Sequence, residues 1–142
     1  MKHQFAALLF LILSYAGFAQ DRYLEVTSGG GVTGTVTRYQ VAMDGRVIKG
    51  KGLGEINYTE EAKLKKCSTK MYYKKANGLM HSFPDFNHPG NLYFSIRLND
   101  LGTESQITWG EAGQKVPEDV EKLYQKINTA LAKLTFVPIA RK

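Results

Sequence analysis

Three groups of residues in this 142-residue chain have types and spacing that could do chemistry. The first is Ser28-Gly29-Gly30-Gly31-Val32-Thr33-Gly34, in which Gly29, Gly31 and Gly34 satisfy the G-x-G-x-x-G spacing of a dinucleotide-binding turn. That turn works only where a strand ends and a helix opens, so that the helix N-terminal amides receive a pyrophosphate. Here Thr35-Val36-Thr37-Arg38-Tyr39-Gln40-Val41 follows, β-branched and alternating, so a second strand is expected and no helix dipole. The second group is His81, Asp85 and His88, an H-x₃-D-x₂-H set that could place three ligands around zinc. Pro84 and Pro89 constrain that loop, and no fourth ligand or helical spacing accompanies it. The third is Ser28 itself, a hydroxyl beside backbone amides, which needs a base to become a nucleophile. The candidate bases, His81 and His88, lie in one distant loop. Glu60-Glu61 and Glu118-Asp119 are adjacent in sequence and do not converge on one point. No catalytic residue, metal or cofactor is therefore expected. The glycine cluster, Ser28 to Gly34, reads as an exposed loop between two strands, suited to a protein partner. If so, replacing both Gly30 and Gly31 by valine should spare the fold.

The elements that must position this loop follow from periodicity. Leu24 and Val26 alternate with Tyr23, Glu25 and Thr27 as in a half-buried strand. Thr37, Tyr39, Val41 and Met43 share one face of a second, and Asp44-Gly45 predicts a type I′ hairpin turn returning through Arg46-Val47-Ile48-Lys49. Gly50, Gly52 and Gly54 make the next stretch a loop. Residues 55–66 fit both periods and lean towards strand. A helix is expected from Ser68, as N-cap, to Asn77, closed by Gly78 in the left-handed region. After a loop over 82–90, Leu92, Phe94, Ile96 and Leu98 alternate with Tyr93, Ser95 and Arg97. Asn99-Asp100-Leu101-Gly102 then turns this strand into Ser105-Ile107-Trp109. Pro117, Glu118 and Asp119 open a last helix with an apolar stripe at Val116, Val120, Leu123, Ile127, Leu131 and Leu134. The expectation is an α+β domain: an antiparallel sheet of about four to five strands with two helices packed on one face.

Lys2 and His3 precede an apolar run from Phe5 to Leu13, and small residues lead to Ala19. Residues 1–19 thus read as a secretory signal peptide, too short to span a bilayer, where about 20 apolar residues are needed. Residues 20–142 then form one small domain, secreted or periplasmic, whose mature form spans no membrane. Cys67 is the single cysteine, so no internal disulfide forms, and it is expected to be buried as a small hydrophobe. The formal net charge is +6, and six lysines (Lys63, Lys65, Lys66, Lys70, Lys74, Lys75) fall within thirteen residues. Such a patch could meet nucleic acid, an anionic envelope surface or an acidic protein. Export argues against nucleic acid, and the plainest account is a solvated face that keeps the chain soluble.

With these elements placed, the chain resembles the emfourin family, small bacterial protein inhibitors of thermolysin-like metalloproteases. The resemblance rests on the early strand with Ser28-Gly29-Gly30-Gly31-Val32-Thr33-Gly34 and on Arg38-Tyr39-Gln40-Val41 with Asp44-Gly45. It continues in the late hairpin from Tyr93 to Trp109 and the Val-Pro-led terminal helix Val116-Pro117-Glu118-Asp119-Val120-Glu121-Lys122-Leu123. The chain also looks like exported bacterial proteins of no assigned function that carry Gly-Gly-Gly, Asn-His-Pro-Gly-Asn and Ile-Thr-Trp-Gly at these places. The inhibitor resemblance implies a non-enzymatic domain that occludes a protease active site sterically, with the loop Ser28 to Gly34 as the contacting residues. The alternative from the charge pattern is an envelope-associated interaction module with a basic surface.

Overall fold

A computed structural model describes residues 21–140. The expected signal peptide lies outside the described residues. Strands β1 (Tyr23–Gly30), β2 (Val36–Ala42), β3 (Arg46–Gly52) and β4 (Asn57–Lys63) precede helix α1 (Lys66–Ser82). Strands β5 (Leu92–Asp100) and β6 (Thr103–Trp109), helix α2 (Glu118–Ala132) and the short β7 (Val137–Pro138) complete the order. All seven strands form one antiparallel sheet in the order β6-β5-β1-β2-β3-β4-β7. The class is α+β as the patterning predicts, but the sheet has seven strands and not four to five. Two strands account for the difference. One is β4, which falls within residues 55–66, where the sequence leans towards strand; the other is β7, whose two residues are too few to carry any period.

Strand β1 is central because it pairs with β2 on one side and β5 on the other, with Val26 opposite both Tyr39 and Ile96. Its Leu24 and Val26 join Val41, Val47, Ile96, Leu98, Ile107 and Trp109 in a core beneath the helices. Helix α1 contributes Tyr72, Ala76 and Met80, and α2 contributes Val120, Leu123, Ile127 and Leu131, each set at the three-to-four-residue spacing of one helix face. The expected apolar stripe of α2 is present. In α1 the buried face is Thr69, Tyr72, Ala76 and Met80, so Cys67 and Met71 fall on the outer side and Cys67 is exposed, not buried.

The ends of α1 also differ from expectation. It starts at Lys66, with Lys65 at the N-cap making no side-chain capping bond, and Ser68 lies inside the first turn. At the other end the helix runs through Gly78 to Ser82, and Gly78 has no positive φ. A glycine inside a helix costs about 1 kcal/mol. Burying the Met80 side chain in the added turn returns about 1.5–3 kcal/mol, so packing decides where the helix stops.

Turn chemistry is exchanged between the two hairpins. Asp44-Gly45 belongs to a three-residue loop in which only Gly45 has positive φ and its N–H donates to Ala42 O at 2.9 Å. The two-residue type I′ turn is Leu101-Gly102, with φ of 52° and 95°. It closes the hairpin immediately after the Asp100–Thr103 pair. Leucine is poorly suited to that backbone, because its Cβ crowds the carbonyl in the left-handed region.

The sheet face turned away from the helices is polar yet partly dry. Glu25 is 2% exposed and accepts hydrogen bonds from Arg97 Nη2 at 2.9 Å and Gln40 Nε2 at 3.1 Å. Arg38 Nε lies 3.3 Å from its other oxygen, and Arg97 also reaches Glu104 at 3.6 Å. Burial works against the charge of Arg97, but its hydrogen bond and proximity to Glu25, followed by Glu104, outweigh that and hold its pKa above the usual value.

Two stability measurements test this description. Glu25→Gln should lower unfolding free energy by about 3 kcal/mol in urea, the low end for breaking a buried pair because water reaches part of both guanidiniums. Leu101→Asn should do the opposite and raise it by about 1 kcal/mol, since asparagine accepts the left-handed region more readily.

Candidate functional site

The glycine cluster divides into two parts. Ser28, Gly29 and Gly30 are strand residues: Ser28 and Gly29 pair with Thr37 and Val36 on one side and with Phe94 and Tyr93 on the other, and Gly30 pairs with Leu92. They sit inside the sheet and offer little backbone to a partner. The loop proper is Gly31-Val32-Thr33-Gly34, between a strand and a strand, which removes the dinucleotide geometry that its spacing imitates. Gly34 N–H donates to Gly31 O at 3.3 Å and Gly31 N–H to Asn91 O at 2.8 Å, tying the loop to the segment before β5. Val32 stands wholly free of the protein at its tip, with a relative exposure of 104%.

Strand pairing places other loops at the same end of the sheet. Val36 pairs with Gly52 and Lys51 with Asn57, so the β3–β4 loop lies beside the glycine loop. A Cβ built on Gly34 would lie 3.9 Å from Leu53 Cδ2. Gly30 pairs with Leu92, the first residue of β5, which brings the third segment alongside. Val32, Leu53 at 78% exposure and Leu92 at 52% are therefore three solvent-facing apolar side chains at one sheet end. Leu53 and Leu92 carry no sequence signal of this role. Their participation follows from strand register alone.

The base beneath these loops is packed by aromatic rings. Phe94, which pairs with Ser28 and Trp109, stacks on Trp109 with centroids 6.0 Å apart, and Tyr124 of α2 meets Trp109 edge-on at 5.0 Å. The Tyr124 hydroxyl donates to Thr27 O at 3.4 Å, and burial pushes its pKa up. Trp109 is a strand-end core residue, as its position before Gly110 suggests.

The histidine set does not assemble. His81 lies in the last turn of α1 with Nδ1 2.8 Å from Asn77 O, whereas His88 Nδ1 lies 3.1 Å from Glu111 Oε2. Asp85 is exposed in the loop between them. No group of three His, Cys, Asp or Glu among the described residues is placed to hold a metal ion. The loop carrying His88 instead runs along β6, with His88 N–H donating to Thr108 O at 2.9 Å and Thr108 N–H to Phe86 O at 3.1 Å. Glu60 and Glu61 pair with Lys49 and Arg46 and do not face one another across a site. No helix among the described residues is long and apolar enough to cross a membrane.

The glycines Gly30 and Gly31 differ in what they tolerate. Both have positive φ, but a Cβ on Gly30 would collide with the Asn91 carbonyl oxygen, whereas one on Gly31 would meet nothing within 4 Å. The paired valine replacement that the sequence suggests therefore disturbs the fold through Gly30. Single changes separate the two positions: Gly30→Ala should cost about 2–3 kcal/mol and Gly31→Ala about 1 kcal/mol in thermal unfolding. Equal costs would mean that the Asn91 segment yields freely. The chain matches no known protein family and no curated protein.

Proposed function

We propose that this chain is an exported, non-enzymatic binding domain that blocks the active-site cleft of a secreted or periplasmic metalloprotease with the loops at the glycine end of its sheet. One observation carries the binding part of this reading. Three loop segments converge there, and each bears an exposed aliphatic side chain (Val32, Leu53, Leu92) on a base fixed by the Phe94–Trp109–Tyr124 aromatic contacts. A monomer gains nothing by holding such side chains in water. A concave partner surface removes them from it, at about 25 cal/mol per Å² of apolar area buried. Hairpin tips are narrow and convex, the shape that enters a cleft. A backbone already fixed before contact loses less entropy on binding. The protease class comes from the resemblance to the emfourin inhibitors, which rests on the same glycine loop.

Inhibition would be steric. No side chain at this end needs to react. Val32 and Leu53 supply apolar contact, and the glycines let backbone approach backbone closely. A thermolysin-like protease titrated with the purified protein should lose activity at micromolar concentration or below. Val32→Asp together with Leu53→Asp should weaken inhibition at least about 30-fold, two exposed hot-spot losses of about 1 kcal/mol or more each, while the melting temperature stays unchanged. Retained inhibition in that variant would move the contact elsewhere. No inhibition by the native protein at micromolar concentration would sink the protease reading.

A further inference from the structure

The six clustered lysines do more in the fold than cover a solvated face. Lys63 ends β4, Lys65 precedes α1, Lys126 projects from α2 and Lys133 caps its C-terminus, yet all four line one groove of about 740 Å³ between the helices. Its other walls are Leu64, Tyr72, Ala130 and Leu134, with Ser68 and Thr129 supplying hydroxyls. Among the described residues no carboxylate lines the groove. None of these four lysines is in an ion pair with any described residue. Four like charges brought together from two chain segments, residues 63–65 and 126–133, repel one another. An arrangement of this kind is relieved by an anion.

The positive surface extends beyond the groove. Lys66, Lys70 and Lys74 recur every four residues along α1 and so share one side of it, and α1 holds no acidic residue. Lys75 and Lys126 line the continuation of the interhelical cleft, together with Lys122, which is paired with Glu118, and with Asp119. Exposed Met71 lies on the outer side of α1, among the lysines. A small free anion would use only the groove. An extended anionic plane would use the groove, the α1 stripe and Met71 together.

We propose that the helix layer docks on an anionic lipid bilayer, with lipid headgroup phosphates seated in the Lys63–Lys65–Lys126–Lys133 groove. The charge complementarity and the spread of lysines over both helices carry this inference, which is independent of the loop-end reading. Among the described residues the one aromatic ring lining the groove, Tyr72, is buried, so the stacking on which single-stranded nucleic acid binding depends has no exposed platform there. Docking on this face leaves the sheet-end loops free.

The test is co-sedimentation of the purified protein with vesicles of phosphatidylglycerol mixed with phosphatidylcholine, against vesicles of phosphatidylcholine alone. Binding should require the anionic lipid and weaken as salt rises. Lys126→Gln with Lys133→Gln should weaken it about 25-fold, since each lysine near an anionic surface contributes about fivefold. Lys51→Gln with Lys115→Gln, an equal charge change outside the groove, should weaken it less than about threefold. These side chains are all solvent-facing, so a melting temperature equal to the native one verifies folding of each variant. Absence of binding at low salt overturns the proposal, as do equal losses in the two pairs. Displacement by millimolar inorganic phosphate would instead assign the groove to a free anion. Equally tight binding of a single-stranded oligonucleotide at the same salt would make the surface a general polyanion site. Either result replaces the bilayer as the partner.

Discussion

The carboxylate of Glu25 is the constraint around which the sheet is arranged. It lies on the central strand, on the face that no helix covers, and is 2% exposed. A charge so placed is tolerated only with partners, and Glu25 draws them from both neighbouring strands: Arg38 and Gln40 of β2 and Arg97 of β5. Gln40 and Arg97 are its direct cross-strand neighbours. A one-residue slip of either hairpin would turn those side chains to the helix face and leave the carboxylate buried and alone. The same slip would turn Val41 of β2, or Ile96 and Leu98 of β5, out of the core. Apolar and ionic demands thus select one register, and that register brings the glycine loop, Leu53 and Leu92 to the same end. The cluster is not fully satisfied, since Arg97 Nε is buried without a partner. It is better understood as fixing register than as maximising stability.

That division of labour assigns different tasks to different parts of the surface. The glycine end combines apolar loop tips with an aromatic base. The opposite end holds the tight Leu101-Gly102 turn, whose backbone suits hairpin closure better than its leucine does. The helix layer carries the unpaired lysines. A partner at the loops and a surface at the helices would therefore not compete for the same side chains.

Much of this was legible in the residues, where one physical force dominated. β1, β5 and β6 alternate strongly because one side of each meets the core, and α2 keeps its stripe because Val120, Leu123, Ile127 and Leu131 all face the sheet. Legibility fails where long-range packing decides. The start of α1, its passage through Gly78 and the exposure of Cys67 all follow from where Tyr72 and Met80 meet the sheet. β7 exists only because Val137 and Pro138 reach β4, pairing with Glu61 and Glu60. The loop-end site was half legible. Glycine spacing marked Gly31 to Gly34, but Ser28, Gly29 and Gly30 belong to the strand. Leu53 and Leu92 join through register, which no local pattern encodes.

The two kinds of basic residue have been sorted by position, and this sorting explains why a net charge of +6 does not spread evenly. Every arginine among the described residues, Arg22, Arg38, Arg46 and Arg97, is in an ion pair with a carboxylate on the sheet. Guanidinium is planar and weakly hydrated, which suits fixed pairing on a half-dry strand surface. Lysine is a strongly hydrated point charge on a flexible stem. Only Lys49 and Lys122 are paired among the described lysines, and the remainder concentrate on and beside the helices. Sheet carboxylates are thus matched within the sheet, and the excess positive charge is left to the helix layer. An excess that arose only from solubility could sit anywhere on the surface. Here it has been withheld from one face and concentrated on another, where the end of β4, the residue before α1, and α2 with its C-cap bring four lysines around one groove.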